Sequence, residues 1–159
     1  MESFDICTKI RIYMLSEYSE QKKLLIEKAK HTALAAYAPY SGYHVGAAVL
    51  LEDGTIVTGN NQENAAYPSG LCAERTALFY ANAHYPNIAV KKIVVLAFNK
   101  GQFTKEPCVP CGSCRQVLVE VENRYNTPIK IIMYGEDKIY EVDSIKGLLP
   151  LSFGKDALE

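Results

Sequence analysis

Two short segments of the chain carry residues that could bind a metal and move protons. Cys72 stands two residues before Glu74. Farther along, Pro110 precedes a Cys-x-x-Cys pair formed by Cys111 and Cys114. Three thiolates leave one tetrahedral position of a zinc ion open for water, as in catalytic sites, whereas a structural site is closed by a fourth ligand. The spacing therefore predicts a catalytic zinc centre with Glu74 as an unligated acid or base.

Cys108 leaves a second interpretation open. It stands three residues before Cys111, so two Cys-x-x-Cys pairs overlap, and with Cys72 the four thiolates could close a structural site. Pro110 favours three ligands, because it fits the first position of a helix and leaves Cys108 in the loop before it. We expect Cys108 and Cys7 to be small buried apolar residues. The histidines are not at ligand spacing from any other candidate ligand.

Both cysteine segments are predicted to open helices. The free N–H groups at a helix N-terminus carry a partial positive charge, which lowers the pKa of a nearby thiol. Three thiolates outweigh the charge of the zinc ion, so a nearby cation would help to keep a bound water acidic. Arg75, directly after Glu74, is the candidate for this second-shell role. An ordinary surface ion pair is the alternative.

The elements that must position these residues follow from hydrophobic periodicity and turn residues. We predict strands over 4–12, 44–51, 55–59, 91–98, 129–134 and 138–142. We predict helices over 20–37, 72–85, 112–125 and 145–149. Helices interleaved with strands and hairpins indicate an α/β fold, a three-layer α/β/α domain with a mixed β-sheet. The first strand is expected at a sheet edge or an oligomer contact.

Composition narrows the classes of partner. The chain has 159 residues and a formal net charge of −1, which provides no electrostatic footprint for a nucleic-acid backbone. Its longest apolar run, 45–51, is too short to cross a bilayer. Clustered cysteines without a secretion signal favour metal binding in a reducing compartment. We expect a cytoplasmic protein that binds neither nucleic acid nor membrane.

A polar run at 60–64 interrupts an otherwise apolar neighbourhood. Such a run is either a solvated loop or a set of hydrogen-bonding groups for a polyhydroxyl ligand, because amides and carboxylates match sugar hydroxyls. Spacing alone does not separate these interpretations.

Together these motifs resemble those of the small homotetrameric zinc-dependent cytidine deaminases. Further segments that are similar to the family, and in its order, are 38–41, 45–48, 61–68 and 148–154. The resemblance implies a cytidine-deaminase-like domain over 21–159 and leaves 1–20 as an N-terminal extension. It also implies deamination of cytidine and 2′-deoxycytidine to uridine and 2′-deoxyuridine with release of ammonia, a hydrolase reaction of pyrimidine salvage.

The resemblance assigns the metal and the proton shuttle. Cys72, Cys111 and Cys114 would hold one Zn²⁺ per subunit. Zinc-bound hydroxide would attack C4 of cytosine while Glu74 shuttles protons, as is general for zinc deaminases.

The resemblance also implies the substrate contacts. Asn61 and Glu63 would bind the ribose hydroxyls, and the Ala73 N–H would contact the pyrimidine carbonyl. Tyr43 would line the nucleoside pocket at a position where the family usually has Phe. Phe153 would reach over the base in a neighbouring subunit, so that the active sites of a homotetramer are completed by neighbours.

Three other interpretations remain. A deaminase of a cytosine-containing antibiotic of the blasticidin S type shares the zinc motifs, but we expect it to lack the ribose-binding Asn61. A nucleic-acid-editing deaminase would need a basic channel. A zinc-binding module without turnover would have no use for Glu74 beside an open zinc position.

Overall fold

The computed structural model describes residues 1–158; Glu159, the end of the predicted domain 21–159, lies outside the described residues. Within them a seven-stranded sheet has the order β1-β7-β6-β4-β2-β3, and β5 pairs with β4. The strands are β1 Arg11–Tyr13, β2 His44–Leu51, β3 Ile56–Asn60, β4 Val90–Asn99, β5 Gln102–Phe103, β6 Lys130–Tyr134 and β7 Ile139–Val142. Only the β4–β6 pairing is parallel among the described strands, so the predicted mixed sheet is confirmed.

Helices cover both faces of the sheet. They are α1 Glu20–Ala33, α2 Ala73–His84 and α3 Gly112–Tyr125. One core cluster packs α1 against the even-numbered residues of β2, β4 and β6, and a second packs α2 and α3 against the odd-numbered ones. Successive side chains of a strand point to opposite faces, so a nearly continuous apolar strand such as β2 serves both layers. The predicted three-layer α/β/α architecture is confirmed.

Two glycines let the helices lie close to the sheet. A Cβ on Gly46 of β2 would collide with the carbonyl oxygen of Ala29 in α1, and one on Gly59 of β3 would collide with the backbone of Ala77 in α2. Helix α2 is thereby seated directly over the β2–β3 hairpin, which places its N-terminus beside the polar run after β3.

The predicted strand over 4–12 is wrong for residues 4–10. The regular strand covers only Arg11–Tyr13, which pairs with Glu141 to Ile139 of β7. Because β7 ends at Val142, one residue beyond the partner of Arg11, the residues before Ile10 have no further backbone of that strand to pair with. The position at a sheet edge is as expected.

Two helices are also shorter than predicted. Helix α1 ends at Ala33 rather than near Tyr37, because the Tyr37 backbone is recruited by the segment after β3: its N–H donates to Asn61 and its carbonyl accepts from Glu63. The predicted helix over 145–149 is a single 3₁₀ turn, Ile145–Gly147. None of the helices within residues 1–158 combines the length and apolar character needed to span a membrane.

Candidate active site

The N-termini of two helices bring the predicted zinc ligands together. Cys72 is the N-cap residue of α2 and Cys111 is the N-cap residue of α3, while Cys114 lies in the first turn of α3. Both caps have extended backbone, so the chain turns into each helix at the cysteine. The unpaired N–H groups of both first turns are therefore near the thiolates, where they stabilise negative charge.

The geometry of the three sulfurs fits a zinc ion. The Sγ atoms of Cys72, Cys111 and Cys114 lie within 4.8 Å of one another, and those of Cys72 and Cys111 are 3.8 Å apart. Tetrahedral zinc with Zn–S bonds of about 2.3 Å requires sulfur–sulfur separations of roughly 3.8 Å. Cys108 does not join this group, so the closed four-thiolate alternative has no support in the described residues.

Arg75 lies beside the cluster, as predicted from its position after Glu74. Its Nη2 donates to Cys72 Sγ at 3.6 Å. Hydrogen bonding from the Cys114 thiol, followed by Arg75 and Cys111, lowers the pKa of Cys72 to about 5. Cys114, which hydrogen-bonds to Cys72 and is buried, has a raised pKa. Arg75 therefore adds positive charge directly beside Cys72.

Glu74 is a buried carboxyl group whose pKa is raised above its ordinary value. Only 4% of the residue is exposed. Burial first, and then the negative charge of Cys72, raise the pKa of Glu74 to about 7. A carboxyl group that titrates near neutral pH can both accept and donate a proton, as general acid–base catalysis requires.

A cavity of about 700 Å³ opens over this cluster. Such a volume suits a small organic ligand. Its lining includes most of the predicted site residues: Tyr43, Asn61, Glu63, Cys72, Glu74, Arg75 and Cys111. Ala73, Cys114 and Phe153 are not in the lining. Ala73 and Cys114 are fully buried beneath it, and Ala73 begins α2, where a backbone N–H has no acceptor within the helix.

The polar rim of the cavity is held by backbone hydrogen bonds. Glu63 accepts from the N–H groups of Tyr40 at 2.8 Å and Ser41 at 3.2 Å, and from the Ser41 hydroxyl. The Ser41 hydroxyl is the main cause that lowers the pKa of Glu63, so the group stays ionised. The Asn61 amide accepts from the Val45 N–H at 2.7 Å and donates to the Tyr43 carbonyl at 2.9 Å. The role of Ser41 was not predicted, although it lies in the segment 38–41 that is similar to the family.

The two other cysteines differ from the prediction and from each other. Cys7 is exposed, so its predicted burial is wrong; it lies in the irregular segment before β1. Cys108 is half-buried and packs against the core, but it also lines the cavity, where its Sγ lies 4.0 Å from Tyr43 Oη. Burial raises the pKa of the Cys108 thiol to about 12 and that of Tyr43 to about 12.

Phe153 lies away from the cavity of its own chain. Its residue is 62% exposed, and its carbonyl accepts a hydrogen bond of 2.8 Å from the Gln116 side chain in α3. An exposed aromatic residue on an anchored backbone is available to another molecule. Its predicted contact in a neighbouring subunit therefore stays a prediction.

Comparison with known proteins identifies the family. The sequence pattern of the cytidine and deoxycytidylate deaminase zinc-binding region matches residues 19–127. The chain is 41% identical to the cytidine deaminase of Sporosarcina psychrophila over 134 residues, which cover 84% of this chain and 92% of that protein. It is 44% identical to the enzyme of Halalkalibacterium halodurans over 100 residues, which cover 63% of this chain and 71% of that protein.

Solved structures agree with the sequence comparison. The 1.6 Å crystal structure of cytidine deaminase from Burkholderia pseudomallei superposes with a TM-score of 0.69 at 38% identity, and the match covers 82% of this chain and 98% of that one. Since the matched pattern, the fold and the three-thiolate cluster coincide on the same residues, the chain belongs to the zinc-binding cytidine deaminase family and binds zinc through Cys72, Cys111 and Cys114.

Proposed function

We propose that this protein is a zinc-dependent hydrolase that converts cytidine and 2′-deoxycytidine to uridine and 2′-deoxyuridine and releases ammonia. The observation that carries the proposal is a single cavity whose lining holds two of the three cysteines of the zinc cluster and a buried carboxyl group with a pKa of about 7. These are the parts that hydrolytic deamination needs: a metal with an open position and an acid/base next to it.

The residues of the chain divide the chemistry among them. Zinc, when bound to the three cysteines, lowers the pKa of a water molecule and so supplies the nucleophile for C4 of the base. Glu74 would take one proton from the attacking water and deliver it to N3 as the C4–O bond forms. It would then take the proton of the hydroxyl on C4 and pass it to the exocyclic amine, so that the C4–N bond breaks, a C4 carbonyl forms and ammonia leaves. Arg75, at 3.6 Å from Cys72 Sγ, offsets the excess negative charge of the three thiolates.

The polar rim supports a nucleoside as the substrate. Glu63 is an ionised acceptor at the cavity, and the Asn61 amide keeps one N–H and one lone pair beyond its two backbone contacts. Together they match the two hydroxyls of a ribose, and a cytosine-containing antibiotic without that sugar would leave them unused. The Ala73 N–H is the proposed donor to the pyrimidine carbonyl.

We further propose that the working unit is a homotetramer in which Phe153 covers the base in a neighbouring subunit. Phe153 and Leu151 are 62% and 76% exposed on the described surface.

Residues 1–20 would be an extension of the deaminase domain, since the family pattern begins at residue 19. Zinc ligation by free thiols requires reduced cysteines, which supports a cytoplasmic location.

The test is the fall in ultraviolet absorbance of cytidine and 2′-deoxycytidine with purified protein of known zinc content. We expect turnover of both nucleosides, loss of turnover after zinc is removed by a chelator, and recovery when zinc is returned. Cys111→Ala should lose zinc and turnover together. A zinc-loaded protein that leaves both nucleosides unchanged would contradict the proposed substrate. Sedimentation of the wild type tests the tetramer separately. Phe153→Ala tests the contact between subunits, because this variant should lose turnover without losing zinc.

A further inference from the structure

One flank of the cavity is not used by the proposed reaction. The lining residues that belong neither to the zinc cluster nor to the polar rim include Tyr43, Val45 and Cys108. Cys108 is of particular interest because its thiol reaches the cavity without being a zinc ligand. Cys108 lines the cavity together with Cys72, Glu74 and Cys111 and stands three residues before Cys111, so it lies at the zinc end of the cavity and not at the ribose end.

The chemistry of the substrate indicates what this flank faces. In the proposed reaction the first turn of α2 contacts one edge of the pyrimidine ring: Glu74 faces N3 and the Ala73 N–H faces the carbonyl at C2. C4 faces the zinc cluster. The remaining edge, C5–C6, carries only hydrogen on carbon, so an apolar surface is its natural complement. C5 is next to C4, and the part of this surface at the reacting end is Cys108.

The backbone at Cys108 is held rigidly. Its N–H donates to the Tyr134 carbonyl at 3.1 Å, and its side chain packs against the core that α2 and α3 share with the sheet. The loop before it lies tightly on the turn between β6 and β7, since a Cβ on Gly135 would collide with the carbonyl oxygen of Lys105. Tyr43 Oη, 4.0 Å from the sulfur, limits the other side. A closely packed side chain that cannot retreat discriminates by size.

We propose that the Cys108 side chain, backed by the Tyr43 hydroxyl, is the wall against C5 of the pyrimidine ring and sets the size of the C5 substituent that the enzyme accepts. This specificity role rests on the proposed deamination of cytidine. Cys108 takes no part in proton transfer or zinc binding; it decides which cytosines fit.

The experiment compares kcat/KM for cytidine and 5-methylcytidine in wild type and three variants. Cys108→Ala removes the sulfur and should raise the ratio of 5-methylcytidine to cytidine about tenfold, the usual effect of one methyl-sized group in a pocket. Cys108→Thr keeps a volume close to that of cysteine, so its ratio should stay within about twofold of wild type if size is what matters. Cys7→Ala is the matched control, because that cysteine is exposed and outside the cavity lining.

A second readout does not depend on turnover. Uridine and 5-methyluridine are competitive ligands of the product class, and the ratio of their inhibition constants should shift in Cys108→Ala in the same direction and by a similar factor. An unchanged ratio in both assays would overturn the role of Cys108 while leaving cytidine deamination intact. If wild type itself fails to convert cytidine, the proposed function fails, and this inference with it.

Discussion

Two of the buried glutamates, Glu74 in α2 and Glu141 in β7, show how the same residue type is put to different uses. Glu74 is 4% exposed and Glu141 is 1% exposed. Burial raises the pKa of Glu74 to about 7, and the neighbouring Cys72 thiolate adds to that effect. Burial also acts to raise the pKa of Glu141, but hydrogen bonds from Lys22 and Lys130 outweigh it, and the pKa is lowered.

The partners of Glu141 account for the difference. Its carboxylate accepts from Lys22 Nζ at 2.6 Å, Lys130 Nζ at 2.9 Å and the Tyr18 hydroxyl at 3.1 Å. These contacts join α1 to β6 and β7 beside the edge strand. Removing any carboxylate from water costs free energy. The ion pairs and hydrogen bonds of Glu141 offset that cost, whereas Glu74 has no lysine partner among the described residues that does so. Burial alone therefore does not mark a catalytic residue; Glu74 is distinguished by its place in the cavity beside the zinc ligands and by its raised pKa.

The largest effect is expected at Glu74. Glu74→Gln removes the proton shuttle but keeps the shape, so kcat for cytidine should fall by about 10⁴-fold, the upper end for a positioned acid/base. The free energy of unfolding should not fall, because a neutral amide is less costly to bury than a carboxylate. At matched zinc content, the fall in cytidine absorbance measures kcat, and urea unfolding measures the free energy of unfolding. More than a tenth of wild-type activity would exclude Glu74 as the shuttle.

Glu141→Gln should show the reverse pattern. It removes a buried charge that two lysines neutralise, so the free energy of unfolding at pH 7 should fall by about 2–3 kcal/mol. Cytidine turnover should change by less than about twofold at temperatures where the variant is folded, because Glu141 does not line the cavity. Glu120→Gln, at an exposed position of α3, is the matched control and should leave unfolding unchanged. Equal losses in both variants would show that the ion pairs of Glu141 contribute nothing.

The sequence pattern predicted the carboxyl group at the cavity, Glu74, and could not predict the structural one, Glu141. Glu74 is encoded locally, two residues after Cys72, at a helix start. Glu141 meets Lys22 across 119 positions of the chain, and no short spacing signals that contact.

The same contrast holds for the secondary structure. Helix α3 has the predicted bounds, Gly112–Tyr125, because Pro110 and the cysteines mark its start. The strand predicted over 4–12 was wrong for residues 4–10, because its length depends on how far β7 extends beside it, which is a tertiary property. Likewise the roles of Ser41 and Cys108 at the cavity follow from folding and not from neighbours in sequence.

Lowering the pH should narrow the difference in unfolding free energy between wild type and Glu141→Gln. The pKa of Glu141 is lower in the folded protein than its ordinary value of 4.5. Its contribution to stability is therefore present above that value and is lost as pH falls through the folded pKa. Urea unfolding of both proteins between about pH 3 and pH 7 measures the difference directly, and loss of zinc in acid cancels because it affects both. A gap that persists undiminished at the lowest pH would mean that packing, not charge, is responsible.

The smallest effect is expected when only one of the two lysine partners of Glu141 is removed. Lys22→Met leaves Glu141 with Lys130 and the Tyr18 hydroxyl, so the loss should be about 1 kcal/mol, less than for Glu141→Gln. Lys22 is only 19% exposed in its side chain and its Nζ also lies 4.4 Å from the centroid of the Tyr18 ring, so some of the loss comes from that contact. Lys23→Met, next in sequence, is the matched control: Lys23 pairs with Glu20, whose side chain is 89% exposed, and its loss should be at most about 0.5 kcal/mol. If Lys22→Met cost as much as Glu141→Gln, Lys130 would have to be a bystander, and the low pKa of Glu141 would depend on a single ion pair.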